Sequence, residues 1–216
     1  MIPLQDSQKR KRFAWATWLL VAACGAVFAW ELSLGAHADA TIARWAITPQ
    51  GVVSFADPVR LPLRVVASLF LHAGWLHLLG NLAFLAVFGD DVEGKLGGAK
   101  FLVLYLLSGL IATGAQVAVL PHSTAPLVGA SGAIAGVLGA FLVWFPKARL
   151  AGVLPLGCLL LPMKSRAFLF IPFWFVLQFA GALTADPGSH AGGVAWYAHL
   201  AGFAAGPVLA RWLRGR

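Results

Sequence analysis

The chain has little charge. Asp, Glu, Lys and Arg make up 11% of its 216 residues, against about 25% in an ordinary soluble domain. With 60% hydrophobic residues and a mean hydropathy of +0.81, it cannot be covered by water. It is read as an integral membrane protein. Cysteine is scarce too. Cys24 and Cys158 stand far apart in apolar sequence, which argues against a disulfide and supports no metal pair. Acids number only eight, and from Phe101 to Pro146 there is no Asp, Glu, Lys or Arg at all. The net charge of +8 would suggest nucleic acid in a soluble protein. In this chain it is read as marking the cytoplasmic faces of membrane spans, with no nucleic-acid partner.

What is present is a series of long apolar runs. The expected architecture is an all-α membrane protein with six spans, since a bilayer core needs about 20 apolar residues per helix. Residues 1–12 form a basic cytoplasmic N-terminal segment ending in Lys9, Arg10, Lys11 and Arg12. Residues 13–212 form the six-helix membrane domain and 213–216 a short basic cytoplasmic tail. The spans are placed at 13–32, 65–89, 101–120, 131–145, 167–185 and 192–210. Residues 33–64 form a long first loop, partly embedded in the membrane through Trp45, Ile47, Val52, Val53 and Phe55. Residues 150–163 are apolar but short and interrupted by Pro155, Gly157 and Pro162, so they are read as interfacial or re-entrant. Of the 16 basic residues, all but Arg44, Arg60 and Arg64 fall on the side of the termini, which puts both termini in the cytoplasm. The expected location is a bacterial inner membrane.

Polar residues inside such spans are costly and face the bundle interior. Three stretches carry them: His77-Leu-Leu-Gly-Asn81, Val128-Gly129-Ala130-Ser131-Gly132, and Ala198-His199-Leu-Ala-Gly202. His77 and Asn81 are four apart and share a helix face. Gly132, Gly136 and Gly139 follow Ser131, and Gly202 and Gly206 follow His199, so two small-residue faces allow close helix approach. The bland reading is helix packing alone. The sharper reading brings His199 within reach of the Ser131 hydroxyl, as an activated nucleophile. None of the eight acids is expected at the depth of His199, so the expectation is a serine–histidine dyad and not a triad. Zinc chemistry would want His-Glu-x-x-His, whereas His72 and His77 are five apart without a glutamate between. No metal and no cofactor are expected. Oxyanion donors are expected from the Ser131 backbone N–H at a helix start, His77 and Asn81.

Together FLHAGWLHLLGN, GASG and AHLAG resemble the rhomboid family of intramembrane serine proteases, over about residues 64–210. The resemblance implies a six-helix rhomboid bundle acting on transmembrane protein substrates near the outer face. It implies Ser131 as nucleophile, His199 as base and then acid, and His77 and Asn81 as oxyanion contributors. His72, Arg64, Glu93, Gly129, Gly132 and Gly202 match positions that are mainly structural. Some members stack an aromatic ring on the histidine from one turn after the serine. Here that position is Ala135, so His199 is expected to be held another way.

Overall fold

The computed structural model describes residues 2–8, 13–156, 159–184 and 195–215. The basic run 9–12, Cys158, and the expected turn at 186–191 lie outside the described residues. The chain is mostly helical. Two helices, α1 (Trp15–Ser33) and α6 (Gly98–Val119), are long and apolar enough to cross a membrane by length and composition. The others are α2 (Ala38–Trp45), α3 (Pro49–Val53), α4 (Leu61–Ser68), α5 (Trp75–Leu96), α7 (Ser131–Trp144), α8 (Ala167–Thr184) and α9 (Trp196–Arg214).

At the centre stands α7. Every residue from Gly132 to Phe141 is buried, so it is enclosed on all sides and not amphipathic. Its glycines set how close its neighbours come. A Cβ on Gly206 of α9 would collide with the Gly136 carbonyl, and one on Gly202 with the Gly132 carbonyl. On the other side, a Cβ on Gly136 would collide with Ser108 of α6. Backbone therefore packs on backbone along the α7–α9 seam, as the glycine spacing implied.

Two of the residues expected to be structural tie elements together. Glu93, near the end of α5, accepts hydrogen bonds from the N–H groups of Ala16 (3.0 Å) and Thr17 (2.7 Å) and from the Thr17 hydroxyl (2.8 Å). It thus caps α1 through a carboxylate placed at the positive helix end. The Arg64 guanidinium donates to the Ala46 carbonyl, which ties α4 back to the first loop. That loop also pairs with the segment before α7: Leu127 N–H donates to the Ile47 carbonyl at 2.7 Å, and Gln50 N–H to the Ser123 carbonyl at 3.0 Å.

Three expectations are corrected. The chain is not all-α. β1 (Ile2–Asp6), β2 (Arg149–Leu156) and β3 (Leu159–Arg166) form an antiparallel sheet in that order. The segment read as interfacial or re-entrant is thus the hairpin β2–β3. Its prolines bar a helix and stand where a sheet tolerates them. Pro3 and Pro162 lie on edge strands, and Pro155 lies beyond the part of β2 that pairs with β1. The second span is not continuous from residue 65. α4 ends at Ser68 and α5 begins at Trp75, with Gly74 at its N-cap. The first loop is not simple loop either, because it folds into a short 3₁₀ turn and the helices α2 and α3.

Candidate active site

The break before α5 moves His77 from mid-helix to the third residue of its helix. Ser131 is the first residue of α7, and His199 is the fourth of α9. Three helix N-termini therefore meet at one point, with their unsatisfied N–H groups and positive dipole ends. No side chain caps α7, which leaves the Ser131 N–H without an intrahelical partner.

The Ser131 hydroxyl donates to His199 Nε2 at 2.7 Å. On the far side of the ring, His199 Nδ1 lies 2.6 Å from Gln178 Oε1. A carbonyl oxygen only accepts, so the proton sits on Nδ1 and leaves Nε2 free to receive the serine proton. Gln178 was not singled out from sequence. It is one amide within apolar α8, and no motif marks it. It is buried, as is His199. The tryptophan one turn earlier on α8 does what Ala135 cannot: Trp174 lies over His199 with ring centroids 6.0 Å apart and a 33° tilt. Trp196 meets the same ring edge-on at 6.4 Å. The start of α9 is held by α6, where Gln116 Oε1 accepts from the Ala198 N–H at 3.1 Å.

The side expected to receive the oxyanion is built from α5 and the turn before α7. Gly129 has φ +110°, and a Cβ there would lie 2.6 Å from His77 Nε2, so only glycine fits on both counts. Its N–H donates to the Ser68 carbonyl at 2.8 Å. The Ala73 N–H donates to His77 Nδ1 at 3.4 Å, which puts the His77 proton on Nε2, the nitrogen beside Gly129. Asn81 is buried, and its Nδ2 has no hydrogen-bond partner among the described residues. His72 lies behind this pair. Its ring meets His77 edge-on at 5.2 Å, its Nδ1 donates to the Phe70 carbonyl at 2.9 Å, and its N–H donates to Glu31 Oε1 at 3.1 Å. An acid therefore does reach this neighbourhood. Glu31 of α1 is 2% exposed, but it meets the His72–His77 side and not His199.

Between α5 and α8 lies a cavity of ≈ 590 Å³ with Ser131, His199, His77, Asn81 and Gln178 in its wall. All four residues expected at the reaction centre thus face one space. In that space donors on His77 and Asn81 could polarise a carbonyl from one side while a serine oxygen approaches from the other.

The sequence profile described as "Rhomboid domain" matches residues 61–216. The chain belongs to the rhomboid family. It is thereby an integral membrane protein of a family of intramembrane proteases that includes inactive members. Rhomboid protease GluP of Bacillus subtilis (strain 168) is 39% identical over 79 residues, 37% of this chain and 15% of that protein. RHOMBOID-like protein 5 of Arabidopsis thaliana is 40% identical over 81 residues, 37% of this chain and 26% of that protein. Inactive rhomboid protein 1 of Drosophila melanogaster is 36% identical over 95 residues, 43% of this chain and 6% of that protein. In each case the match spans well under half of the relative's length.

Proposed function

We propose that this rhomboid is an intramembrane serine endopeptidase that cleaves transmembrane protein substrates near the outer face of the membrane. The observation that carries the reading is the 2.7 Å hydrogen bond from the Ser131 hydroxyl to His199 Nε2, with the ring already in the tautomer a base needs. The Ser131 oxygen attacks the scissile carbonyl while His199 takes its proton. The oxyanion is received by the Ser131 N–H, His77 Nε2–H and the unpartnered Asn81 amide. His199 then gives the proton to the leaving amine, and water hydrolyses the acyl-enzyme by the same steps reversed. No cofactor enters this chemistry. Gln178 acts behind His199 where a triad would have a carboxylate, so the dyad has a neutral third member.

The bundle is read as six spans, α1, α5, α6, α7, α8 and α9, with both termini in the cytoplasm of a bacterial cell. α7, with 14 residues, is about 21 Å long, short for a bilayer core of about 30 Å. Its Ser131 end therefore stands below the outer surface, and the cavity supplies the water.

A non-proteolytic client-binding role is the second reading, favoured by the likeness to a relative named inactive. The intact Ser131–His199 contact favours the peptidase. The test is cleavage of a transmembrane substrate in detergent together with labelling by a fluorophosphonate. Wild type should cut and carry the label on Ser131, and Ser131→Ala should do neither while keeping its melting temperature. Cleavage by Ser131→Ala at the wild-type rate would sink the peptidase reading.

A further inference from the structure

A second cavity, of ≈ 650 Å³, lies where the base of the sheet meets the start of α8. Arg149, Lys164 and Arg166 line it, together with the hydroxyl residues Ser7 and Ser165. The strand register makes this arrangement unfavourable when empty. Arg149 stands directly opposite Arg166, and Lys164, two residues along β3, opposite Ala151. Side chains alternate along a strand, so all three cations share one face. Like charges directly opposite each other destabilise a sheet.

No described carboxylate relieves them. Asp6 is the one acid in the lining, but it pairs with Leu150 in the register and so belongs to the other face. It accepts from the Gln8 N–H at 2.5 Å, and its carboxyl gathers with those of Asp90 and Asp91 of α5 within 4.8 Å. Among the described residues, the cations therefore face a space of ligand size whose one lining carboxylate, Asp6, is gathered with Asp90 and Asp91 instead. Hydrogen-bonding groups are at hand: Ser7 Oγ accepts from the Arg149 N–H at 2.9 Å, which leaves its own O–H free to donate.

A guanidinium pair and the Ser7 hydroxyl suit a phosphate group, which arginine binds through paired N–H donors. A phosphate could be free or carried by a lipid, and the rest of the lining decides between them. Phe168 and Leu169, in the first turn of α8, line the same cavity and are 45% and 57% exposed. A free phosphate has no use for an apolar flank, whereas a phospholipid presents acyl chains beside its phosphate. We propose that this cavity binds the headgroup phosphate of an anionic phospholipid, with the chains lying against Phe168 and Leu169. The proposal goes beyond the peptidase reading and does not depend on it.

The test uses the full chain in nanodiscs of phosphatidylcholine alone or mixed with phosphatidylglycerol. Lipid retained after transfer to detergent is counted by native mass spectrometry, and melting is followed in both membranes. Wild type should retain phosphatidylglycerol over phosphatidylcholine by roughly fivefold or more relative to the bulk ratio, and should melt higher in the anionic membrane. Lys164→Gln/Arg166→Gln should retain lipid at the bulk ratio and lose the anionic gain in melting temperature. In phosphatidylcholine alone it should melt no lower than wild type, because the repulsion is gone. Arg44→Gln/Arg60→Gln, on the first loop, should behave as wild type. Millimolar inorganic phosphate should not displace the retained lipid. Wild-type retention at the bulk ratio, an unchanged preference in the Lys164→Gln/Arg166→Gln protein, or full displacement by inorganic phosphate would each overturn the proposal.

Discussion

An uncharged amide behind His199 changes what that imidazole can do. A carboxylate there would both fix the tautomer and stabilise the imidazolium, whereas Gln178 supplies the first effect and only a dipole's share of the second. Gln178→Leu should therefore keep the fold and lower single-turnover cleavage by roughly 10- to 100-fold, the scale of one buried hydrogen bond. Gln178→Glu keeps an acceptor at the same place and should stay within a few-fold of wild type. Equal activity of Gln178→Leu and wild type would remove Gln178 from the site. If Asn81 is an oxyanion donor as proposed, Asn81→Ala should cost about 10²- to 10³-fold in kcat with little change in KM, the loss that removing one such donor brings. A matching rise in KM would mean that Asn81 binds the ground state. Ser131, His199, His77 and Asn81 were legible in the sequence because polar groups in apolar runs stand out and their spacings fit helix faces. Gln178 was equally polar but stood alone, and its role depends on which helix lies opposite α9. That is a tertiary fact without a local signal. Glu31 was counted with the acids, yet its bond to His72 depends on how α1 sits against the turn before α5.

At the scale of elements, glycine faces decide the packing. Gly206→Ala would push a methyl group into the Gly136 carbonyl, and overpacking of this kind costs about 1–3 kcal/mol. Its melting temperature in detergent should fall and cleavage with it. Gly114→Ala, where a Cβ meets nothing within 4 Å, should be silent in both. A silent Gly206→Ala would show that the α7–α9 seam can open without loss. The helices α1, α6, α7, α8 and α9 lay close to where hydropathy put them, because long apolar runs are strong signals. The break between Ser68 and Trp75 was not legible. Hydropathy does not fall there, and only Gly74 hints at an interruption. The sheet was missed for a related reason: residues 150–163 are as apolar as a span, and their strand pairing depends on residues 2–6 at the far end of the chain.

Taken whole, the molecule should be inserted with its sheet and both ends on one side. Reporter fusions after residue 216 and within the loop at 121–128 should report opposite sides of the membrane. Agreement between the two would refute the six-span reading and with it the outer-face placement of Ser131. The sheet also joins segments made far apart in time. Arg149 bonds Ser7 across 142 residues of chain. At roughly 5–20 residues per second, β1 leaves the ribosome some seven to 28 seconds before its partner exists. Throughout that wait it is a bare strand with open hydrogen-bonding edges, the kind of segment that recruits wrong partners. Pro3 removes one donor from it, and the basic run that follows discourages another copy from aligning. The order of translation therefore leaves β1 waiting for β2, and a tag fused next to β1 would act during assembly rather than in the finished protein.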